Sequence, residues 1–190
     1  MRALMMSVFD DQLARRLMRL RQAAGFSLDE LANRSGISRA SLSRLERGES
    51  SPTAATLGRL CSVFSIPMAH LFADLDAVAK DLVPLCEQET WHDAETGFRR
   101  RNVSPAQPGY RGAVIEGMLP AGQEIFYAGS PIPDLEHHLV LLEGQLEVSL
   151  DAITHALNAG DCIRFLLTGT NSYRAPGPNP ARYLLSVIAP

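Results

Sequence analysis

The sequence predicts a two-domain α + β protein, a small helical head followed by a body of short β-strands. Three observations predict it. Residues 27–47 (SLDELANRSGISRASLSRLER) hold two short amphipathic periods broken by a glycine, the pattern of two helices joined by a tight turn. From about Trp91 the apolar spacing changes to brief β-type runs between Gly and Pro turns. Charge divides in the same way: residues 1–72 carry ten Arg against six Asp or Glu, and residues 73–190 carry eight Lys or Arg against fifteen acids, which together give the net charge of −3. At 190 residues and 46% hydrophobic, two cores fit the chain better than one.

In the head, Leu13, Leu17 and Leu20 stripe a first helix with Arg15, Arg16 and Arg19 outside it, and Gly25 ends it. Ser27 stands three residues before Glu30, a capping box that opens a second helix with Leu28, Leu31 and Ala32 inside. Gly36 supplies the positive φ of a sharp turn, and Ala32 and Gly36 leave room where two helices cross. Ser38 caps a third helix whose inner face is Leu42 and Leu45. Thr53 starts a fourth helix with Leu57, Leu60 and Phe64 inside, and Pro67 begins a short last helix to Phe72.

What the third helix leaves outward is short, polar and basic, which suits hydrogen bonds to base edges and phosphates. Arg39 is the expected base reader, since a guanidinium can grip guanine at O6 and N7. Ala40 is placed for a thymine methyl, and Ser43 for a base or a phosphate. Ser27, Ser38, Arg44 and Arg47 are the expected phosphate contacts, which position without specifying. The basic head makes such binding steeply salt-dependent. The runs LARRLMRLRQAAGFSLDELA, GISRASLSRLERGESSPTAATLGRLCSVF and IPMAHLF resemble the helix-turn-helix domain of the phage-repressor, or XRE, regulators over residues 9–72. That resemblance implies a five-helix lambda-repressor-like DNA-binding domain, a dimer on a palindromic double-stranded operator, and an ion pair between Arg21 and Glu46.

Residues 73–88 (ADLDAVAKDLVPLCEQ) read as a connector, helical or extended. Beyond it AVIEGML, HLVLLEG, QLEVSL, DCIRFLL and ARYLLSVI read as strands of a sandwich or barrel spanning 89–190, with GPNP (177–180) as a loop. The order Leu119-Pro120-Ala121-Gly122, LVLLEGQLEVSL, LNAGDCIRF and ARYLLSVI resembles a cupin double-stranded β-helix, with Glu143-Gly144 and Gly160-Asp161 as its strand-joining steps. Joined to an XRE head, that resemblance implies a ligand-sensing barrel on a transcription regulator.

Catalytic cupins hold a metal through an HxH step, a Glu and a distant His. Here the HxH positions fall near Ser130 to Pro133 without a histidine, the Glu position at His137, and the distant His at Asn171. Glu136, His137 and His138 are consecutive, and alternate strand residues face opposite ways, so they cannot all converge on one ion. The expectation is therefore no metal, no cofactor and no catalysis, with a small organic effector in the barrel instead. Its candidate contacts are Arg100, Glu116, Tyr127, His137, Asn171 and Tyr173, polar or aromatic residues on strand-like segments. Arg99-Arg100-Arg101 reads either as a carboxylate clamp or as a solvated charge run. The effector is expected to be amino-acid-like, an amine or a sulfur compound, by analogy with related regulators.

Three widely spaced cysteines (Cys61, Cys86, Cys162) without a CxxC fit a reducing cytoplasm, with Cys61 on the inner side of a helix. The N-terminal apolar run is too short for a signal peptide, and no membrane span is expected. Two other readings stay open: a cupin enzyme or metal-dependent sensor tethered to DNA, and a non-sensing repressor whose barrel serves dimerisation.

Overall fold

The computed structural model describes residues 8–72, 80–107 and 109–190. Five helices come first: α1 (Val8–Ala23), α2 (Leu28–Ser35), α3 (Arg39–Glu46), α4 (Ala54–Phe64) and α5 (Met68–Leu71). Their boundaries follow side-chain caps. Ser27 and Glu30 form the reciprocal capping box on α2, Ser38 accepts from the Ser41 N–H on α3, and Thr53 accepts from the Thr56 N–H on α4. Gly36 ends α2 at φ 66°, a left-handed conformation that admits the tight turn into α3. Leu13, Leu17, Leu31, Leu42, Leu45, Leu57 and Leu60 are buried together, while Phe64 packs at the edge of that cluster and Arg16 is half-buried rather than fully outside. Arg21 donates from Nε and Nη2 to both Glu46 oxygens, at 2.7 and 2.8 Å, and ties α1 to the end of α3.

Of the expected connector, residues 73–79 lie outside the described residues; residues 80–88 lead through a short 3-10 turn (Leu85–Glu87) into the body. Ten strands follow: β1 (Thr90–His92), β2 (Arg99–Ser104), β3 (Gly112–Leu119), β4 (Glu124–Tyr127), β5 (Leu135–Glu143), β6 (Gln145–Leu150), β7 (Ile153–Asn158), β8 (Cys162–Leu167), β9 (Asn171–Arg174) and β10 (Ala181–Ile188). They form two antiparallel sheets, one in the order β1-β2-β3-β10-β5-β8 and one in the order β4-β9-β6-β7. Strand alternation sorts the residues. On β5, Leu135, His137, Leu139 and Leu141 are buried, whereas Glu136 and His138 turn outward and pair with each other at 2.6 Å.

Head and body share one apolar core. Phe72, just past α5, meets Trp91 of β1 at 5.9 Å between ring centroids, and Trp91 meets Phe98 at 6.4 Å. The buried Asp93 carboxylate accepts from the Ala54 N–H at the start of α4 (2.8 Å) and from the Glu95 N–H (2.9 Å), so a barrel residue caps a head helix. Among the described residues, no helix is long and apolar enough to cross a membrane.

Candidate functional site

The candidate DNA surface is built by the two caps and the turn between them. Arg39 begins α3, is largely exposed, and in the free protein leans on Asp29 of α2 at 3.1 Å. Ala40 and Arg44 are exposed, Ser43 is half-exposed, and Arg47 is an exposed C-cap whose guanidinium meets Glu49 at 3.0 Å. Ser27 and Ser38 are exposed too, but their hydroxyls already serve the helix ends: each accepts a backbone N–H at 3.1 Å, and Ser38 also donates to the Ser41 hydroxyl at 2.8 Å. What these two positions can offer a phosphate is chiefly the exposed N-terminal turn they cap. The seven predicted residues lie on α3, its caps and the N-cap of α2; the arginines among them, Arg39, Arg44 and Arg47, are all exposed.

The second site is a cavity of about 90 Å³ between the barrel and the head. Enclosed waters need roughly 10–15 Å³ each on this scale, so it has room for a compact metabolite. Five of the six residues expected at a ligand site line it: Arg100, Tyr127, His137, Asn171 and Tyr173. Glu116 does not, and that expectation is corrected. On β3 the inward positions are Ala113, Ile115, Gly117 and Leu119; Glu116 faces the other way and holds Arg101 at 2.8 Å and Arg182 at 3.2 Å. The same alternation resolves the arginine run: Arg100 points in, while Arg99 is exposed and Arg101 is occupied with Glu116 and Gln88 outside. A clamp of several arginines from this run is thereby excluded.

Arg100 is 3% exposed. Its Nη1 donates to the Asn102 side chain, its guanidinium carbon stands 4.3 Å over the Phe72 ring, and its Nη2 has no partner among the described residues. Burial holds its pKa down from 12.5 to about 10. His137 Nδ1 and Asn171 Nδ2 are likewise buried without a partner, and burial pushes His137 down to about 4, so it is neutral near pH 7. Tyr127 and Tyr173 meet edge-on at 6.1 Å and Tyr173 stacks on Tyr183 at 6.1 Å; burial raises the pKa of all three phenols.

Several cavity residues escaped the sequence reading. Tyr183 is one, and its signal was present: it pairs in register with Gly117, where any Cβ would collide with the Tyr183 ring. The head contributes Gly58 and Cys61 from α4 and Met68 and Ala69 from α5, which only the docking of two domains brings near the barrel. Cys61 is fully covered and burial pushes its thiol up to about 12, so it acts as apolar wall rather than as thiolate. The fold's metal positions do not fit a metal here. His137 and Asn171 face the cavity beside the Arg100 cation, Glu136 and His138 lie on the opposite face, and no three potential ligands converge among the described residues.

Residues 12–71 match the family model of a helix-turn-helix domain. The chain is 27% identical over 177 residues to the HTH-type transcriptional regulator SutR of Escherichia coli, covering 90% of this chain and 91% of that one. It is 25% identical over 157 residues to the HTH-type transcriptional regulator PuuR of the same organism, covering 80% and 82%. Among solved structures, an HTH_3 family transcriptional regulator from Vibrio cholerae superposes with a TM-score of 0.76 at 27% identity, over 96% of this chain and 97% of that one. The helix-turn-helix head is present, and the body is a two-sheet antiparallel β-structure of the kind that the cupin resemblance implies.

Proposed function

We propose that this helix-turn-helix protein is a dimeric, effector-responsive transcriptional regulator working in the cytoplasm, its β-barrel serving as the sensor. In this reading α3 enters the major groove of a palindromic operator, with the two recognition helices about 34 Å apart. Arg39 exchanges Asp29 for a guanine edge; Ala40 and Ser43 stand beside it, and Arg44, Arg47 and the capped ends at Ser27 and Ser38 meet phosphates. The barrel performs no catalysis and uses no metal.

The observation that carries the sensing half is the shared wall. The cavity is bounded by barrel strands and by α4 and α5, so an effector inside it touches the DNA-binding head directly. A ligand shifts a conformational equilibrium by as much as its affinity differs between the two states, and contacts to both domains supply that difference. The test is fluorescence anisotropy on operator duplexes selected from a random pool, with and without a small-metabolite extract. A change in affinity with extract is expected, and unchanged affinity refutes sensing. Arg39→Ala is expected to lose about 1–3 kcal/mol on the selected site but little on random duplexes; an equal loss on both makes Arg39 a phosphate contact.

A further inference from the structure

Resting on the reading of the cavity as an effector site, we propose that its effector is a small carboxylate with an apolar body, its anion held by Arg100 and Asn171 and its body enclosed by Tyr127, Tyr173 and Tyr183. A buried cation without a counter-ion is unfavourable, and so is each buried polar atom without a hydrogen-bond partner. Three such groups, Arg100 Nη2, Asn171 Nδ2 and His137 Nδ1, come from three different strands and line the same cavity. Buried polar groups are paired in nearly all folded proteins, so three orphans in one cavity describe the missing partner. That partner brings oxygen acceptors and a negative charge, which a carboxylate supplies in the shape a guanidinium fork accepts.

The rest of the wall limits the partner further. No Asp or Glu is among the described lining residues, so an ammonium group would meet the guanidinium with no counter-charge from them. This separates the effector from amines and from zwitterionic amino acids. The remaining surface, with Ile115, Leu135, Leu167 and the tyrosines, is apolar and aromatic, which suits a hydrocarbon body. The approach agrees in sign. Gly58, Tyr127 and Gly129 border both the cavity and an open groove between head and barrel, and that groove carries Arg34 and Arg59 but no acid among the described residues.

The experiment titrates full-length protein with isovalerate and benzoate, and with the matched amines (isopentylamine, benzylamine) and amides (isovaleramide, benzamide). Calorimetry gives the affinity, and the single tryptophan, Trp91 at the seam, reports by fluorescence. One site per chain is expected for a carboxylate, with the matched amine and amide weaker by at least about tenfold, or about 1.4 kcal/mol. Arg100→Gln is expected to lower carboxylate affinity by at least that factor. Arg100→Lys, which keeps the charge but not the fork, should fall between. Asn171→Leu serves as the second variant should Arg100→Gln fail to unfold cooperatively. Amide or amine binding at or above the carboxylate overturns the anion assignment and leaves the effector reading standing. No binding by any of the six at about 20 mM overturns the assignment as well, at an affinity weaker than about 2–3 kcal/mol. The effector reading is then decided separately by the extract experiment on operator DNA.

Discussion

Replacing Arg100 with methionine keeps most of the side-chain volume while removing a buried cation, and the expected change in stability can be worked from its contacts. Burial lowers the guanidinium pKa from 12.5 to about 10. A difference of that size corresponds to about 3 kcal/mol held against the charged form. The folded state gives up its proton more readily than the unfolded chain, so at pH 7, where both carry the charge, the whole penalty is present. It is relieved only as pH rises through about 10 towards 12.5. Two losses oppose the relief. The contact over Phe72 contributes about 2 kcal/mol when desolvated. Asn102, which accepts from Nη1 and is itself buried, is left unpaired at about 1–3 kcal/mol. Arg100→Met in the effector-free protein should therefore lie within about 2 kcal/mol of the parent. The double variant Arg100→Met with Asn102→Leu, which removes both partners, should be as stable or more so. Urea unfolding at pH 7 followed by Trp91 fluorescence measures both, with heating as a check at about 2–4 °C per kcal/mol for a chain of this length. A loss of about 3–5 kcal/mol in the single variant refutes the reasoning, because that is the signature of breaking a buried ion pair. Arg100 would then be satisfied by an acid within the chain and would not await a ligand.

Three other perturbations address separate links. His137 has its pKa lowered from 6.5 to about 4 by burial, so its contribution is fully present above pH 6.5 and disappears as pH falls to about 4, a loss of about 3 kcal/mol. His137→Phe should flatten that part of the stability profile in urea unfolding at stepped pH; an unchanged slope assigns the acid sensitivity elsewhere. A Cβ on Gly58 would sit 2.8 Å from the Tyr127 ring, so Gly58→Ala, despite a helix-propensity gain of about 1 kcal/mol, should displace Tyr127 and weaken carboxylate binding. Calorimetry giving the parent affinity would remove Tyr127 from the ligand wall. Glu46→Gln leaves Arg21 with a weaker acceptor in a largely covered place, and should destabilise the protein by about 1.5–3 kcal/mol; a change below about 0.5 kcal/mol reduces the pair to an ordinary surface contact.

The head was legible because its signals are local. Ser27 with Glu30, Ser38, Gly36 and Thr53 each fix a helix end within four residues, and the leucine periods decide the faces. The barrel was legible where alternation was clean, as in β3, β5 and β10, and much less so at β1, β2, β4 and β9, which are three to six residues long and polar or mixed. Glu116 shows the limit of reading a residue type without its strand parity. A carboxylate on a strand looked like a ligand contact, but its neighbours Ile115 and Gly117 claim the inner face, and register with Arg101 and opposite Leu184 of β10 sends it outward. Arg100 was legible only as one of three arginines, since parity could not be assigned until β2 was paired. The head's share of the cavity was illegible for a different reason. Cys61 reads as a packing position of a helix, and so it is; that the helix also roofs a barrel, through Cys61 and Gly58, depends on docking contacts as distant in sequence as Ala54 with Asp93.

That docking explains how a site in the body can act on a surface in the head without a long relay. α4 touches the cavity through Gly58 and Cys61, and its N-terminus is held by Thr53 and by Asp93 of the barrel. α4 also packs in one core with Leu31 of α2 and with Leu42 and Leu45 of α3, the helix that carries Arg39. A carboxylate that neutralises Arg100 changes the charge beneath this roof, and one large enough to press on Tyr127 presses on Gly58. Because packed interfaces switch between discrete arrangements rather than deform continuously, such a load would, in the proposed regulator, move the head as a unit. In a dimer, a small rotation of each head alters the spacing and tilt of two recognition helices together, and operator affinity depends steeply on both. The coupling is reciprocal: operator DNA that favours one head placement must change carboxylate affinity by the same factor as the carboxylate changes affinity for DNA.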